Sequence, residues 1–212
     1  MTQAVLHYVY DPLCGWCYAA APMVSAAVEA GISVSLHGGE LWSTPTRLAP
    51  DRADYIRTSD RRIAAMTGQS FGDAYLTGLL DDPESVFWSA PPIAAVLAAG
   101  DLRPGADVQM LHAIQLAHYL DGRRVVEADV LRSLAVSIGL EPEAFERALQ
   151  GDQASAHVER SLDLMRRTGL RGYPGFVVET HGVLVRMPHE TFYGRPAAFV
   201  DAVSRAAART AA

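Results

Sequence analysis

The alternation of apolar and polar positions changes character along this chain, and the first forty residues already contain three different patterns. Val5 to Tyr10 is a short run of β-branched and aromatic residues, which indicates a strand. An alanine-rich segment from Cys14 to Ala30 follows and stops at Gly31, as a helix often stops at a glycine. Ile32 to His37 alternates like a second strand. This order predicts a strand–helix–strand unit.

The middle of the chain, residues 45 to 168, is mostly helical in pattern. Apolar residues recur there at helical spacing, and glycines or an Asp-Asp-Pro sequence interrupt them. The predicted helices are Arg52 to Met66, Pro92 to Ala99, Ala106 to Leu120, Glu127 to Ile138, Glu143 to Leu149 and Gln153 to Arg167. A helical block of this size between two strand-rich segments predicts an all-helical insertion.

Strand character returns near the end of the chain. Gly175 to Glu179 and Val183 to Met187 flank a short loop that contains a glycine, which predicts a hairpin. Pro196 opens a last alanine-rich segment, at a position that proline often takes in a helix. The sequence therefore predicts an α/β fold with a mixed four-stranded sheet, formed by residues 1–44 and 169–212, around the insertion of residues 45–168.

Both cysteines of the chain lie in one tetrapeptide, CGWC, at the predicted start of the first helix. Cysteines three residues apart share a helix face, and their sulfurs can come close enough to bond. The unpaired N–H groups at a helix start favour a thiolate, which is the reactive form of cysteine. The spacing predicts Cys14 as a nucleophile and Cys17 as the residue that resolves a mixed disulfide.

A metal centre is one alternative for the same two cysteines. A structural zinc site normally takes four ligands, and the chain has no second CxxC motif. His112 and His118 are six residues apart and fall on different faces of a helix. A cluster held between two chains stays open. We expect a catalytic dithiol with no bound metal and no other bound cofactor, which draws reducing equivalents from a thiol donor.

Three further residues are candidates for substrate contact. Trp16 stands between the cysteines, and we expect it to lie partly exposed beside Cys14, although core packing is the alternative. A third strand antiparallel to the first would begin beside the end of the first, which places Tyr173 and Pro174 opposite Cys14. An aromatic residue before proline favours a cis peptide bond, and an ordinary trans proline at a strand edge is the alternative.

Two acidic residues are weaker candidates. Asp11 precedes Cys14 by three residues and would either influence that thiol electrostatically or only shape the turn at Pro12. Glu40 follows the second strand, at the edge of the sheet where α/β proteins tend to bind ligands. It could relay protons to Cys17, although a glutamate is usually solvated.

Composition narrows the classes of function. The net charge is −6 and no basic run is present, so a nucleic-acid partner is not expected. The chain has no lysine, which excludes a Schiff base on a lysine side chain. Neither a secretory signal nor a stretch of about 18 apolar residues is present, so we expect a cytoplasmic protein with no membrane partner. In the cytosol a CxxC pair is seldom a structural disulfide.

Several of these stretches together resemble a known family. DPLCGWC, the helical block and GYPGFVVE resemble the DsbA-like branch of the thioredoxin superfamily, near its FrnE-like predicted protein-disulfide isomerases. Residues 112–140 also resemble the insertion helices of that branch, so the resemblance covers essentially the whole chain. It implies a thioredoxin-like fold with Cys14 as nucleophile, Cys17 as resolving residue and Pro174 as a cis proline at the redox centre. It also implies that backbone groups of Tyr173 pair with an extended substrate.

The resemblance implies thiol–disulfide exchange on protein or peptide disulfides, with a thiol donor such as glutathione or thioredoxin. In a reducing cytosol the net direction would be reduction or isomerisation. Strong oxidising power is not expected, because the Gly-Trp dipeptide lacks the histidine that stabilises the thiolate in periplasmic members. A cousin branch, the kappa-class glutathione transferases and hydroxychromene-carboxylate isomerases, typically has serine at the first active position. A glutathione-dependent small-molecule transferase or isomerase is therefore the alternative, beside a metal or iron–sulfur CxxC module.

Overall fold

The computed structural model describes residues 4–151 and 153–210. In chain order its elements are β1 (Val5–Tyr10), α1 (Gly15–Glu29), β2 (Ser33–Gly38), β3 (Thr46–Arg47), α2 (Pro50–Thr67), a π-helix (Ala74–Leu79), β4 (Val86–Phe87), α3 (Ala90–Leu102), α4 (Ala106–Tyr119), α5 (Ala128–Ser137), α6 (Pro142–Leu149), α7 (Ala154–Thr168), β5 (Gly175–Thr180), β6 (Val183–Met187) and α8 (Pro196–Thr210). None of the helices in this part of the chain has the length and apolar character that crossing a membrane requires.

The central layer is a mixed four-stranded sheet in the order β2-β1-β5-β6. Strands β1 and β2 run parallel, whereas β5 runs antiparallel to β1 and to β6. This arrangement confirms the predicted α/β class and the predicted antiparallel third strand. The division into residues 1–44 with 169–212 and residues 45–168 stays a prediction.

The two faces of the sheet differ because neighbouring side chains of a strand point to opposite sides. On one face Tyr8 of β1 stacks on Phe176 of β5 with ring centroids 4.7 Å apart, and Phe176 meets Phe199 of α8 edge-on. On the other face, His7 Nδ1 lies 2.9 Å from His37 Nε2. The aromatic face carries α8, and the histidine face lies towards α7.

The hairpin loop is one residue shorter than the sequence indicated. Strand β5 continues to Thr180, which pairs with Val183, so only two residues remain in the loop. These are His181 with φ 52° and Gly182 with φ 78°. Two successive positive φ values are typical of the tight turn that suits the twist of a hairpin.

The predicted helices of the middle block are all present, with differences at their ends and two additions. Helix α3 was predicted to stop before Gly100, but it continues to Leu102. A Cβ at Gly100 would lie 3.1 Å from Asp107 Cβ, so this glycine marks a close approach of α3 to α4 rather than a helix end. The π-helix and the two-stranded sheet of β3 and β4 were not predicted.

An aromatic cluster fixes the middle block to α1. Tyr18 of α1 stacks on Tyr119 of α4 with ring centroids 4.7 Å apart. Tyr75 of the π-helix meets Tyr119 edge-on, and Phe71 packs edge-on against both Tyr18 and Tyr119. Such pairs add roughly 0.5–1.5 kcal/mol each beyond the burial of their area. The helical block is therefore held against the N-terminal part of α1.

On the opposite face of the sheet, α7 is attached to β2 through a histidine. The Gly38 N–H donates to His157 Nε2 at 2.8 Å, a bond that only a ring nitrogen without a proton can accept. Burial, with Arg160 as a smaller cause, lowers the pKa of His157 to about 4. Burial, with His7 as the next cause, likewise lowers the pKa of His37 to about 4.

The His157→Gln variant should make stability less sensitive to acid. The unfolded chain binds a proton at each of these histidines near pH 6.5, whereas the folded chain does so near pH 4. The free energy of unfolding therefore decreases as the pH is lowered from about 6.5 to about 4. Urea denaturation at several pH values should show a smaller fall for the variant. Asp11 and Asp60, whose pKa values are raised to about 6, change stability in the opposite direction over the same pH range. They are present in both proteins, so the difference between variant and wild type isolates the effect of His157. Equal falls in both proteins would contradict this role.

Candidate active site

Cys14 lies at the start of α1, where the spacing of the motif predicted it. Its backbone is extended, with φ −103° and ψ 114°, and its carbonyl accepts the N–H groups of Cys17 at 2.9 Å and Tyr18 at 3.0 Å. Both cysteines are free thiols. Cys14 retains 8% of its surface, whereas Cys17, one turn deeper, retains none. Cys14 is therefore the sulfur that a partner can reach first.

The buried position of Cys17 keeps it protonated. Burial is the main cause that raises the pKa of Cys17 well above its usual value, and the neighbouring Cys14 adds to it. The Asp11 N–H donates to Cys17 Sγ at 3.4 Å, which acts in the opposite direction. The Tyr8 hydroxyl donates to the Cys17 carbonyl at 3.1 Å and fixes this turn of the helix.

The strand order brings Tyr173 and Pro174 beside the cysteines. Val9 of β1 is paired with Gly175 of β5, so the residue before β5 lies next to the loop after β1. Cys14 Sγ donates to the Tyr173 carbonyl at 3.7 Å across 159 residues of sequence. The Tyr173–Pro174 peptide bond is cis.

A glycine holds Tyr173 in position. A Cβ at Gly39 would lie 2.1 Å from Cε1 of the Tyr173 ring, so the ring occupies the space that another side chain would need. The Tyr173 hydroxyl accepts the Glu40 N–H at 3.2 Å. Glu40 itself is exposed and contributes its backbone, rather than its carboxylate, to this arrangement.

Asp11 connects the loop after β1 to the loop after β2. Its carboxylate is fully buried and accepts the N–H groups of Leu13 and Leu41, each at 2.8 Å. Burial raises the pKa of Asp11 to about 6. Its charge is among the causes that raise the pKa of Cys17, so the carboxylate acts on the buried thiol and also shapes the turn.

Trp16 lines two cavities. It is half-buried, and its ring lies 5.2 Å from the ring of Tyr193 between centroids. A cavity of about 410 Å³ is lined by Trp16, Leu170, Arg171, Tyr173, Pro174, Arg186, His189, Glu190 and Tyr193, among others. A second cavity of about 290 Å³ lies on the Cys14 side and includes Trp16, Trp42, Arg52, Asp60 and Tyr173 in its wall. The indole is therefore available to ligands in either cavity.

The middle block contributes Asp60 of α2 to the second cavity. This carboxylate is 4% exposed, and its Oδ2 accepts the Tyr75 hydroxyl at 2.7 Å. Burial raises the pKa of Asp60 to about 6. Sequence reasoning missed Asp60, Trp42 and Tyr193, because nothing in their local sequence distinguishes them from surface or core residues.

Metal-ligating side chains are not gathered around the cysteines. Among residues 4–151 and 153–210, no group of three or more His, Cys, Asp or Glu side chains is arranged to hold a metal ion. His7, His37 and Glu179 form a hydrogen-bonded row on the opposite side of the sheet, in which His7 Nε2 lies 2.8 Å from Glu179 Oε2.

A thioredoxin-type sheet with a dithiol at the start of α1 and a proline beside it defines a thiol–disulfide oxidoreductase. Comparison with solved structures agrees. The cytosolic disulfide reductase DsbM from Pseudomonas aeruginosa is 43% identical, with 95% of this chain and 97% of that chain covered and a TM-score of 0.87. Its structure with GSH gives 43% identity, coverage of 95% and 98%, and a TM-score of 0.85. The chain belongs to the DsbA-like family of thiol–disulfide oxidoreductases in the thioredoxin superfamily.

More distant structures share the fold. A Nitrosomonas europaea protein provisionally named a protein disulfide isomerase is 23% identical, with 98% of each chain covered and a TM-score of 0.81. A 2-hydroxychromene-2-carboxylate isomerase is 14% identical, with 98% of each chain covered and a TM-score of 0.62. No family model and no curated protein matches the chain.

The Gly39→Ala variant should disturb the site through Tyr173. The added Cβ displaces the ring, and overpacking of this kind typically costs about 1–3 kcal/mol. We expect a lower unfolding temperature together with faster alkylation of Cys14, because the Tyr173 carbonyl moves with its ring and no longer accepts a hydrogen bond from the neutral thiol. Gly78→Ala is the matched control, since a Cβ there meets nothing within 4 Å. If both variants behave like wild type, Tyr173 is not held by Gly39.

Proposed function

We propose that this chain reduces or isomerises disulfides of proteins or peptides through Cys14 and Cys17. The observation that supports this most directly is the contrast between the two thiols beside Tyr173. Cys14 lies at the helix start, 3.7 Å from the Tyr173 carbonyl, while Cys17 is fully buried and its pKa is raised by that burial. Cys14 is placed to attack a substrate disulfide, and Cys17 is shielded from the substrate until the mixed disulfide has formed.

The proposed reaction has two exchanges. The Cys14 thiolate attacks one sulfur of a substrate disulfide, which forms a mixed disulfide and expels the other substrate sulfur as a thiolate that takes up a proton. Cys17 then loses its proton and attacks Cys14 Sγ, which releases the second substrate thiolate and forms the Cys14–Cys17 disulfide. The substrate has gained two electrons and two protons. A thiol donor outside this chain restores the dithiol.

Cys17 needs help at the second step, because its burial disfavours the thiolate. The Asp11 N–H lies 3.4 Å from Cys17 Sγ and stabilises negative charge there. The Asp11 carboxylate, with its pKa raised to about 6, is available to exchange a proton near neutral pH. In this proposal both the N–H and the carboxylate of Asp11 help Cys17 to attack the mixed disulfide.

Substrate binding is assigned to Trp16, Tyr173 and Pro174. Backbone groups of Tyr173, just before β5, can pair with an extended peptide, as a strand adds to a sheet edge. Trp16 offers an apolar wall to both cavities. The larger cavity also presents Arg171 and Arg186 beside Glu190, which suits a small peptide that carries carboxylates and an ammonium group.

The direction of exchange follows from what stabilises the Cys14 thiolate. Gly15 and Trp16 place no cation between the cysteines. The thiolate, and with it the reduced dithiol form, is therefore stabilised less than in strong oxidants. The similarity to a protein described as a cytosolic disulfide reductase, also solved with GSH, supports a cytoplasmic reductase with a glutathione-type donor. Residues 1–44 and 169–212 would carry the chemistry, and residues 45–168 would cover it.

Cys14→Ser should abolish disulfide-reductase activity, because a serine hydroxyl does not replace a thiolate as nucleophile. Insulin reduction with a glutathione-regenerating system measures this. Circular dichroism checks that the variant is folded. Wild-type activity in the variant would remove Cys14 from the proposed role.

Cys17→Ser should instead retain the first exchange and stop at the mixed disulfide. Incubation with a disulfide peptide should yield a covalent adduct on Cys14 that dithiothreitol releases, as mass spectrometry would show. The Cys14→Ser variant is the control and should form no adduct. Adduct on neither variant would exclude the two-step scheme.

A further inference from the structure

The middle block brings a buried carboxylate against the first turn of α1. A Cβ built on Gly15 would lie 2.4 Å from Asp60 Oδ1 and 3.1 Å from Ile63 Cδ1. Asp60, Gly15 and Cys14 all line the same cavity of about 290 Å³. Asp60 Oδ1 therefore lies against the residue that follows Cys14 in the chain.

Asp60 is held in this orientation by α2 and by the π-helix. Tyr75 donates to Oδ2 at 2.7 Å, which leaves Oδ1 towards Gly15. The acid is buried more deeply than an ordinary aspartate, and burial raises its pKa to about 6. It is ionised at neutral pH and becomes neutral in a mildly acidic medium.

We propose that the Asp60 carboxylate is a positioning residue that disfavours the Cys14 thiolate and thereby keeps the dithiol–disulfide pair reducing. This role rests on the proposed function of Cys14. Like charges close together raise the free energy of the charged form of each group. A less stable thiolate makes the reduced protein less stable relative to its disulfide, so the protein gives up its electrons more readily.

Phenols and a cation lie with Asp60 in the wall of this cavity. The phenols of Tyr75 and Tyr119 stay neutral, since burial raises the pKa of each well above its usual value. Among the described residues that line this cavity, the cation is Arg52, whose guanidinium lies 5.8 Å from the ring centroid of Trp42 and 5.3 Å from that of Tyr55.

Three more titratable or charged groups lie near these. Arg57, which acts on Tyr75, pairs with Asp54 and Asp81 and donates to the Leu76 carbonyl. Tyr173 lines the same cavity, and its pKa is raised by burial. Cys17 stays protonated for the same reason. Among the described residues that line the cavity beside Cys14, the acidic side chain is thus Asp60.

Gly15 belongs to the same arrangement. Any side chain at this position would push the Asp60 carboxylate away from the helix start, since the space for its Cβ is already taken. The glycine of CGWC therefore permits the acid to lie against the motif. Gly15 and Asp60, more than forty positions apart in sequence, therefore depend on each other sterically.

The test compares Asp60→Asn with Asp51→Asn, the same change at an exposed position of the same helix. The alkylation rate of Cys14 is followed from about pH 5 to 9 with iodoacetamide, on the Cys17→Ser background. We expect the midpoint of the profile to move to lower pH in Asp60→Asn, with a rate at least about threefold higher near pH 7. The two profiles should coincide below about pH 6, where wild-type Asp60 is protonated. Asp51→Asn should match wild type.

Equilibration of the two-cysteine proteins with glutathione redox buffers near pH 8 gives the second readout. The equilibrium should shift towards the dithiol by at least about threefold in Asp60→Asn, which is about 14 mV for a two-electron couple. Tyr75→Phe covers the case in which Asp60→Asn does not fold. This variant removes a hydrogen-bond donor to the ionised carboxylate, which raises the pKa of Asp60. The pH above which Asp60 slows the alkylation of Cys14 should therefore rise.

Superimposable profiles and equal equilibria for wild type and Asp60→Asn, or an equal shift in Asp51→Asn, would overturn the role of Asp60. If Asp60→Asn does not fold, an unchanged profile in Tyr75→Phe would overturn it. An unreactive Cys14 in the wild-type protein would instead overturn the proposed function, so the two failures are distinguishable.

Discussion

The site depends on the antiparallel pairing of β1 with β5. That pairing ends at Val9 and Gly175, so the chain leaves β1 and enters β5 at the same edge of the sheet. The loop after β1 leads into α1 and presents Cys14, while the residue before Pro174 presents its carbonyl 3.7 Å away. A shift of the register by one residue would turn the side chains of one strand to the other face and separate these groups.

The helix that follows β1 then makes the two cysteines different. Because they are three residues apart, Cys17 lies one turn inside the helix and Cys14 lies at its start. The inner thiol is enclosed by the core and remains protonated, while the outer one keeps a small exposed surface. A dithiol needs this difference, since one sulfur must meet the substrate and the other must wait until the mixed disulfide has formed.

The parts of this structure that were predictable have local signals. The CGWC spacing, the β-branched runs and the glycine-containing hairpin each involve residues close in sequence, and the strand order then required Tyr173 to lie near Cys14. Asp60 had no such signal, because a polar residue in an amphipathic helix is normally solvated, and only tertiary packing buries this one against Gly15. The two-residue strands β3 and β4 are too short to show a period, and Gly100 was misleading because close helix packing also selects glycine.

Two buried carboxylates approach the dithiol from different sides, and both oppose stability at neutral pH. Asp11 comes from the sheet edge and acts on Cys17, while Asp60 comes from the helical block and lies beside Gly15. Each pKa is raised to about 6 mainly by burial, so each carboxylate stabilises the fold at low pH and loses that contribution as pH rises through about 6. For Asp11 the difference is about 3 kcal/mol. At Asp11 both carboxylate oxygens accept backbone N–H groups, and an asparagine has only one oxygen to do so. At Asp60 the observed acceptor is one oxygen, so an asparagine would avoid the cost of the charge there. This acid is therefore better explained by the chemistry of the neighbouring thiol than by stability.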